Sequence, residues 1–151
     1  MGLNDKTGLS GRLRISHIRD NKVLNNIDTT NTIMNVGKSV VSSFIGNDIT
    51  TGTEFDYVSI GTSGLAAAAT QTTLGSEQLR EGTVSSQTTK TSTDDTATFI
   101  GSFLMSGTHS IQEAGIFNAS TAGSMLARTT FSALSVVSGD AINATWDVTV
   151  G

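Results

Sequence analysis

The segment Ala141-Ile142-Asn143-Ala144-Thr145-Trp146-Asp147-Val148-Thr149-Val150 decides the fold class. Ile142, Ala144, Trp146, Val148 and Val150 take every second position, and Asn143, Thr145, Asp147 and Thr149 fill the alternates. Successive side chains of a strand point to opposite faces, so this is a strand with one buried and one wet face. Trp146 and Val148 are thereby expected in the core. Ser138-Gly139-Asp140 precedes the strand as a turn.

Read outward from there, most of the chain has the same character. Met125 to Phe131 and Ile111 to Asn118 are strand-like and are joined by the turn Ser120-Thr121-Ala122-Gly123. Leu79 to Gln87 and Thr96 to Leu104 flank the polar tip Thr88 to Asp95, which predicts one long hairpin with an exposed end. Phe55 to Ile60 carries apolar residues on both faces, as a buried strand does, and Gly61-Thr62-Ser63-Gly64 stops it. Residues 65 to 76 are small and Thr-rich, a long loop or a short alanine-rich helical turn. Near the start, Arg12 to Ser16 and Val23 to Ile27 form a hairpin across the turn-prone pair Asp20-Asn21.

One segment breaks the pattern. Ile33, Val36, Val40, Val41, Phe44 and Ile45 fall on a single helical stripe, so residues 32–45 are expected to be an amphipathic helix. Asn31 is its expected N-cap and Gly46 its left-handed terminator, with Val40 and Phe44 in the core and Lys38 facing away. Residues 1–10 show no period and read as an arm, with Leu3 and Leu9 as its docking side chains, leaving residues 11–151 as the folded domain. The expectation is a mainly β protein, an antiparallel β-sandwich or barrel-like domain with one helix.

At 151 residues the chain has the length of one domain, which buries roughly two-thirds of the surface its unfolded form exposes. It has no cysteine, so disulfides, thiolate metal sites and a cysteine nucleophile are excluded. Only 15% of residues are charged and the net charge is −4, low for a free domain. The sole basic cluster, Arg12, Arg14, His17 and Arg19, is too small for a phosphate-binding stripe, so no nucleic-acid partner is expected. No stretch has the ~20 apolar residues of a membrane span, and no signal peptide is expected.

Ser, Thr, Asn and Gly stand where charge would normally be, and uncharged groups are less costly to desolvate than ions. Proline, which guards sheet edges, is absent. Both features suit surfaces that neighbours cover, although a neutral monomer has the same composition.

Active-site chemistry is missing from the sequence. Gly37-Lys38-Ser39 lacks the glycine that a phosphate loop needs five residues earlier, where Thr32 stands. His17 and His109 have no second ligand at helical spacing, and Asp94-Asp95 lacks the acidic rhythm of a calcium loop. Glu113 stands alone in an apolar strand, where a bond to Arg80 or to a backbone amide would satisfy it. No nucleophile elbow occurs, and the Asn118-Ala119-Ser120 and Asn143-Ala144-Thr145 triplets are read as chance matches to the glycosylation pattern. No catalytic residue, cofactor or metal is expected.

Several segments in order resemble a widespread group of small tailed-phage virion proteins. They are Phe55-Asp56-Tyr57-Val58-Ser59-Ile60-Gly61-Thr62, Thr73-Leu74-Gly75-Ser76-Glu77 with Arg80, Ile111-Gln112-Glu113-Ala114-Gly115-Ile116-Phe117-Asn118, and Met125-Leu126-Ala127-Arg128 with Phe131. The N-terminal strand pair leading into the helix and the final Gly139-Asp140 to Trp146 segment are similar to the same group, and Glu-Ala-Gly-Ile-Phe resembles a pattern in the N-terminal domains of some phage tail fibres.

The resemblance implies a non-enzymatic β-rich subunit made in a host cytoplasm and built into a virion. A capsid decoration or cement protein that binds across major capsid subunits, self-associated as a trimer, is the first expectation. A tail, baseplate or fibre-attachment subunit bound to tail proteins is the alternative. A carbohydrate-binding module or hydrolase is the third, set against an aromatic content of 5%.

Overall fold

The structure, a computed structural model, describes residues 8–46 and 53–151. Ten strands and one helix follow in the order β1 Leu9–Arg19, β2 Lys22–Thr30, β3 Thr32–Ile33, α1 Asn35–Ile45, β4 Tyr57–Gly61, β5 Glu77–Gly82, β6 Val84–Thr88, β7 Thr96–Leu104, β8 His109–Phe117, β9 Met125–Val136 and β10 Ala141–Val150. They form two five-stranded antiparallel sheets, β2-β1-β10-β7-β6 and β3-β9-β8-β4-β5. The protein is mainly β and forms a two-sheet sandwich, one of the two architectures its alternating pattern allows.

The deciding strand β10 lies at the centre of the first sheet, paired with β1 from Leu9↔Val150 to Ile18↔Ala141 and with β7 from Ala141↔Leu104 to Thr149↔Thr96. Its inward Ile142, Ala144, Trp146 and Val148 are buried with Leu13, Ile15, Phe99 and Phe103, facing Val58, Ile60, Ile111, Ile116, Leu126 and Leu134 of the second sheet. Val150, at the strand end, is 51% exposed. The β1–β2 hairpin turns at Asp20 (φ 49°) and Asn21 (φ 59°), the two left-handed residues of a type I′ turn.

At two of its changes of sheet the chain departs from the sequence expectation. Between β2 and β3 it crosses at Asn31, whose N–H donates to Gly11 O at 3.3 Å. Between β5 and β6 it crosses at Thr83, whose N–H and hydroxyl both donate to Asp56 O, at 2.7 and 3.0 Å. Leu79 to Gln87 is therefore two strands. Only β6 pairs with β7 around the Thr88 to Asp95 tip, while β5 pairs with β4 in the other sheet.

The helix is shorter than its apolar pattern. Thr32–Ile33 is a strand paired with Arg128 and Ala127, and helical residues begin at Asn35 after Met34 as a cap without a side-chain bond. Asn31 caps nothing; its Oδ1 accepts the Trp146 indole N–H at 2.9 Å. Gly46 ends the helix at φ −81°, right-handed, with its N–H on Ser42 O, so the left-handed stop is absent. Val40 is buried as expected, but Phe44 is 38% exposed and Ile45 84% exposed, because the helix leans on β9 only through its first two turns. Phe44 is thus not a core residue. Gly37 marks the contact: a Cβ there would stand 2.5 Å from Leu126 Cα, so a side chain would push the helix off the sheet.

Residues 1–7, including Leu3, lie outside the described residues. Strand pairing reaches further forward than an arm of ten residues allows. Gly8 and Gly151 exchange both backbone bonds, at 2.6 and 2.9 Å, and Leu9 is half-buried in β1.

Candidate functional site

Both faces of the second sheet are buried over β8, and the outer one is covered by the chain between β4 and β5. This strap, Thr62 to Ser76, has no regular structure of its own, so its backbone groups need other partners. One buried carboxylate supplies three of them. Glu113 Oε1 accepts the amides of Ser63 at 3.1 Å and Ser76 at 2.7 Å, and its Oε2 accepts the amide of Gly75 at 2.9 Å. Arg128 of β9 completes the carboxylate, donating Nε at 3.0 Å and Nη2 at 2.8 Å to Oε2, and its Nη1 donates to Gln71 Oε1 at 2.9 Å.

Glu113 and Arg128 are both fully buried, so the pair is a latch and is closed to solvent. Burial pushes the Glu113 carboxyl up, but the Gly75 amide, the Arg128 guanidinium and the Ser76 and Ser63 amides outweigh it and hold it below the usual carboxylate range.

Packing closes the strap over the latch. Leu74 joins Met34, Phe117 and Met125 in a small second core on the outer face, with Val36 and Tyr57 at its margin. Gly115 makes the room: a Cβ there would lie 3.0 Å from Leu74 Cδ2 and 3.1 Å from the Phe117 ring. Further bonds run from Gln112 Nε2 to Thr62 O and from the Asn35 amide at the helix start to Ala69 O. Arg80 pins the neighbouring turn, donating to Ala119 O and Ala122 O, pairing with Glu77 and stacking 3.7 Å over the Phe117 ring.

What the strap presents outward has no charge between Thr62 and Ser76, and Leu65 is 72% exposed. It is a neutral surface fixed from beneath by ionic chemistry.

The basic cluster and the carboxylates of Asp140 and Asp95 are bound into the scaffold. Arg12 pairs with Asp28, Arg14 with Asp147 and Arg19 with Asp140, so three cations of the basic cluster are neutralised in place. His17, buried, donates Nε2–H to Asp140 Oδ2 at 2.8 Å, and the Val137 amide donates to the same oxygen. Arg19 first, with His17 and the Val137 amide, keeps the Asp140 carboxyl well below its ordinary range against the effect of burial. Asp95 at the β6–β7 tip accepts the amides of Ser92, Thr91 and Lys90, which depress its carboxyl in the same way. Among the described residues no group of three or more His, Cys, Asp or Glu could hold a metal ion. No described helix is long and apolar enough to cross a membrane.

The partner of Glu113 is therefore three backbone amides and Arg128, where the sequence offered a backbone amide or Arg80. Arg128 had a signal of its own. It is the one charge in Met125 to Phe131, facing a strand whose one charge is Glu113, across a short turn. Asn31 and Asp140 gave none, because their partners lie more than a hundred residues away. No family model matches the chain, and no curated protein or solved structure matches it.

Proposed function

We propose that this chain is a non-enzymatic structural subunit of a tailed-phage virion, acting as a capsid decoration protein that binds across major capsid subunits. The observation that supports this reading is the strap. The segments that carry the resemblance, Gly61-Thr62, Thr73 to Glu77, Glu113-Ala114-Gly115 and Arg128, are the parts of one latch holding an uncharged outer surface. A surface ordered before it meets its partner loses little conformational entropy on binding, and an uncharged one has little solvation to give up. Both properties favour permanent coverage in an assembly.

The reading is tested by quantifying the chain in purified particles and by rebinding it to particles that lack it. Hundreds of copies per particle are expected for a decoration protein, and a handful would move the chain to the tail. Leu65→Asp, at an exposed position of the strap, is expected to weaken rebinding at least tenfold with an unchanged melting temperature. Full rebinding of that variant would remove the strap from the contact.

A further inference from the structure

A second exposed apolar feature lies where α1 leaves the sheets. Leu9, Val41, Ile45 and Val150 line an open groove of about 740 Å³ between the end of the first sheet and the second half of the helix, with Gly8 and Ser42 at its rim. Lys38 is the one charged side chain among the described lining residues. Ile45 and Val150 are largely uncovered within the described chain.

We propose that this groove receives residues 1–7 of a second copy of the chain, so that neighbouring subunits exchange N-terminal segments. The inference rests on the assembly reading above and names its self-contact. Seven residues precede Gly8, enough to reach roughly 23 Å when extended. In an extended chain Leu3 and Asp5 share one side. That side matches the groove: Leu3 meets Val41, Ile45 and Val150, and Asp5 meets Lys38. The path favours a neighbour's groove over the chain's own. Gly8 is held in line with β1 by both of its bonds to Gly151, and entry into the groove it borders would require the chain to reverse within a residue or two of that rung.

The chain has no cysteine, so paired thiols report this contact without background. A Leu3→Cys protein is mixed with a size-tagged Ile45→Cys protein and treated with a short bis-maleimide, in the absence of any particle. The mixture is expected to give a covalent heterodimer, in at least tenfold higher yield than Leu3→Cys with Ser102→Cys, which lies exposed on the outer face of β7. Excess unmodified protein is expected to suppress it, and adding Val150→Asp to the Ile45→Cys partner is expected to abolish it. Heterodimer at the control yield overturns the proposal. So does crosslinking confined to single molecules of a Leu3→Cys/Ile45→Cys double variant, which would place the segment in its own groove. Particle rebinding through the strap is read separately, so either idea can fail alone.

Discussion

The indole N–H of Trp146, on the central strand, donates to Asn31 Oδ1 at 2.9 Å, at the point where the chain crosses from one sheet to the other. Gly11 makes that bond possible. A Cβ at Gly11 would stand 1.8 Å from the same Asn31 oxygen, so the amide occupies the place of a missing side chain on the inward face of β1. The largest fully buried side chain and the sheet crossing therefore stabilise each other.

Trp146→Ala is expected to cost ~3–5 kcal/mol, because a large buried side chain is lost and the cavity only partly collapses. Asn31→Ala is expected to cost ~1–3 kcal/mol by leaving the indole donor unpaired. Gly11→Ala is expected to destabilise through the same bond, by displacing Asn31. Urea unfolding of the three proteins checks the order, and a Gly11→Ala protein as stable as wild type would contradict the account of Asn31.

The helix divides into a buried and an exposed half. Val40→Asp places a charge under β9 and is expected to prevent folding, whereas Lys38→Ala is expected to leave melting within about 0.5 kcal/mol of wild type. Phe44→Ala is expected to cost much less than the ~3–5 kcal/mol of a buried phenylalanine, because its ring is not enclosed. Equal losses for Val40→Asp and Phe44→Ala would show that the helix seats more deeply than this.

Where one period governs one surface, the sequence is legible. β10, the β1–β2 turn and the buried Val40 all follow from spacing and turn chemistry. Legibility fails where a residue serves two neighbours. The apolar stripe from Ile33 to Ile45 is continuous in sequence, yet Ile33 belongs to a strand and Ile45 to no core, because only Gly37 lets the helix approach β9. Leu79 to Gln87 fails for a related reason, since the chain changes sheets at Thr83 and its one mark, Gly82, is also tolerated inside a continuous strand. The latch was half visible. A lone Glu113 among apolar residues predicts a partner, but amides from a loop 37 to 50 residues away leave no periodic trace.

Removal of either latch partner is expected to be severe. Glu113→Ala strands the Arg128 guanidinium and three backbone amides, and Arg128→Ala strands the carboxylate; loss of one member of a buried pair costs ~3–5 kcal/mol. Glu113→Gln keeps the shape but can accept through only one oxygen, and is expected to fall between Glu113→Ala and wild type. Amide hydrogen exchange gives the local readout. Ser63, Gly75 and Ser76 are expected to lose protection in Glu113→Gln while β10 amides keep theirs, and unchanged exchange at those three sites would mean the strap is held by Leu74 packing alone.

Acid is expected to open the protein from the same residues. The Glu113 and Asp140 carboxyls, and those of Asp28 beside Arg12 and Asp95 at its tip, titrate lower in the folded chain than in the unfolded one. Folding therefore favours their charged forms. That contribution is fully present above the unfolded carboxyl range of ~4 and is lost as pH falls toward the folded values. Asp56 runs the other way, raised first by burial and then by Glu54, so its protonation in acid is stabilising; it is one group against four. Stability is thus expected to be flat from neutral pH to about 5 and to fall steeply below about 4. The sharper test is the slope. Glu113→Gln and Asp140→Asn are each less stable at neutral pH and carry one titrating group fewer, so each curve is expected to decline less between pH 5 and 2 and to converge on the wild-type curve in acid. Parallel curves over that interval would show that neither carboxylate is linked to folding, and would return the acid sensitivity to the surface pairs.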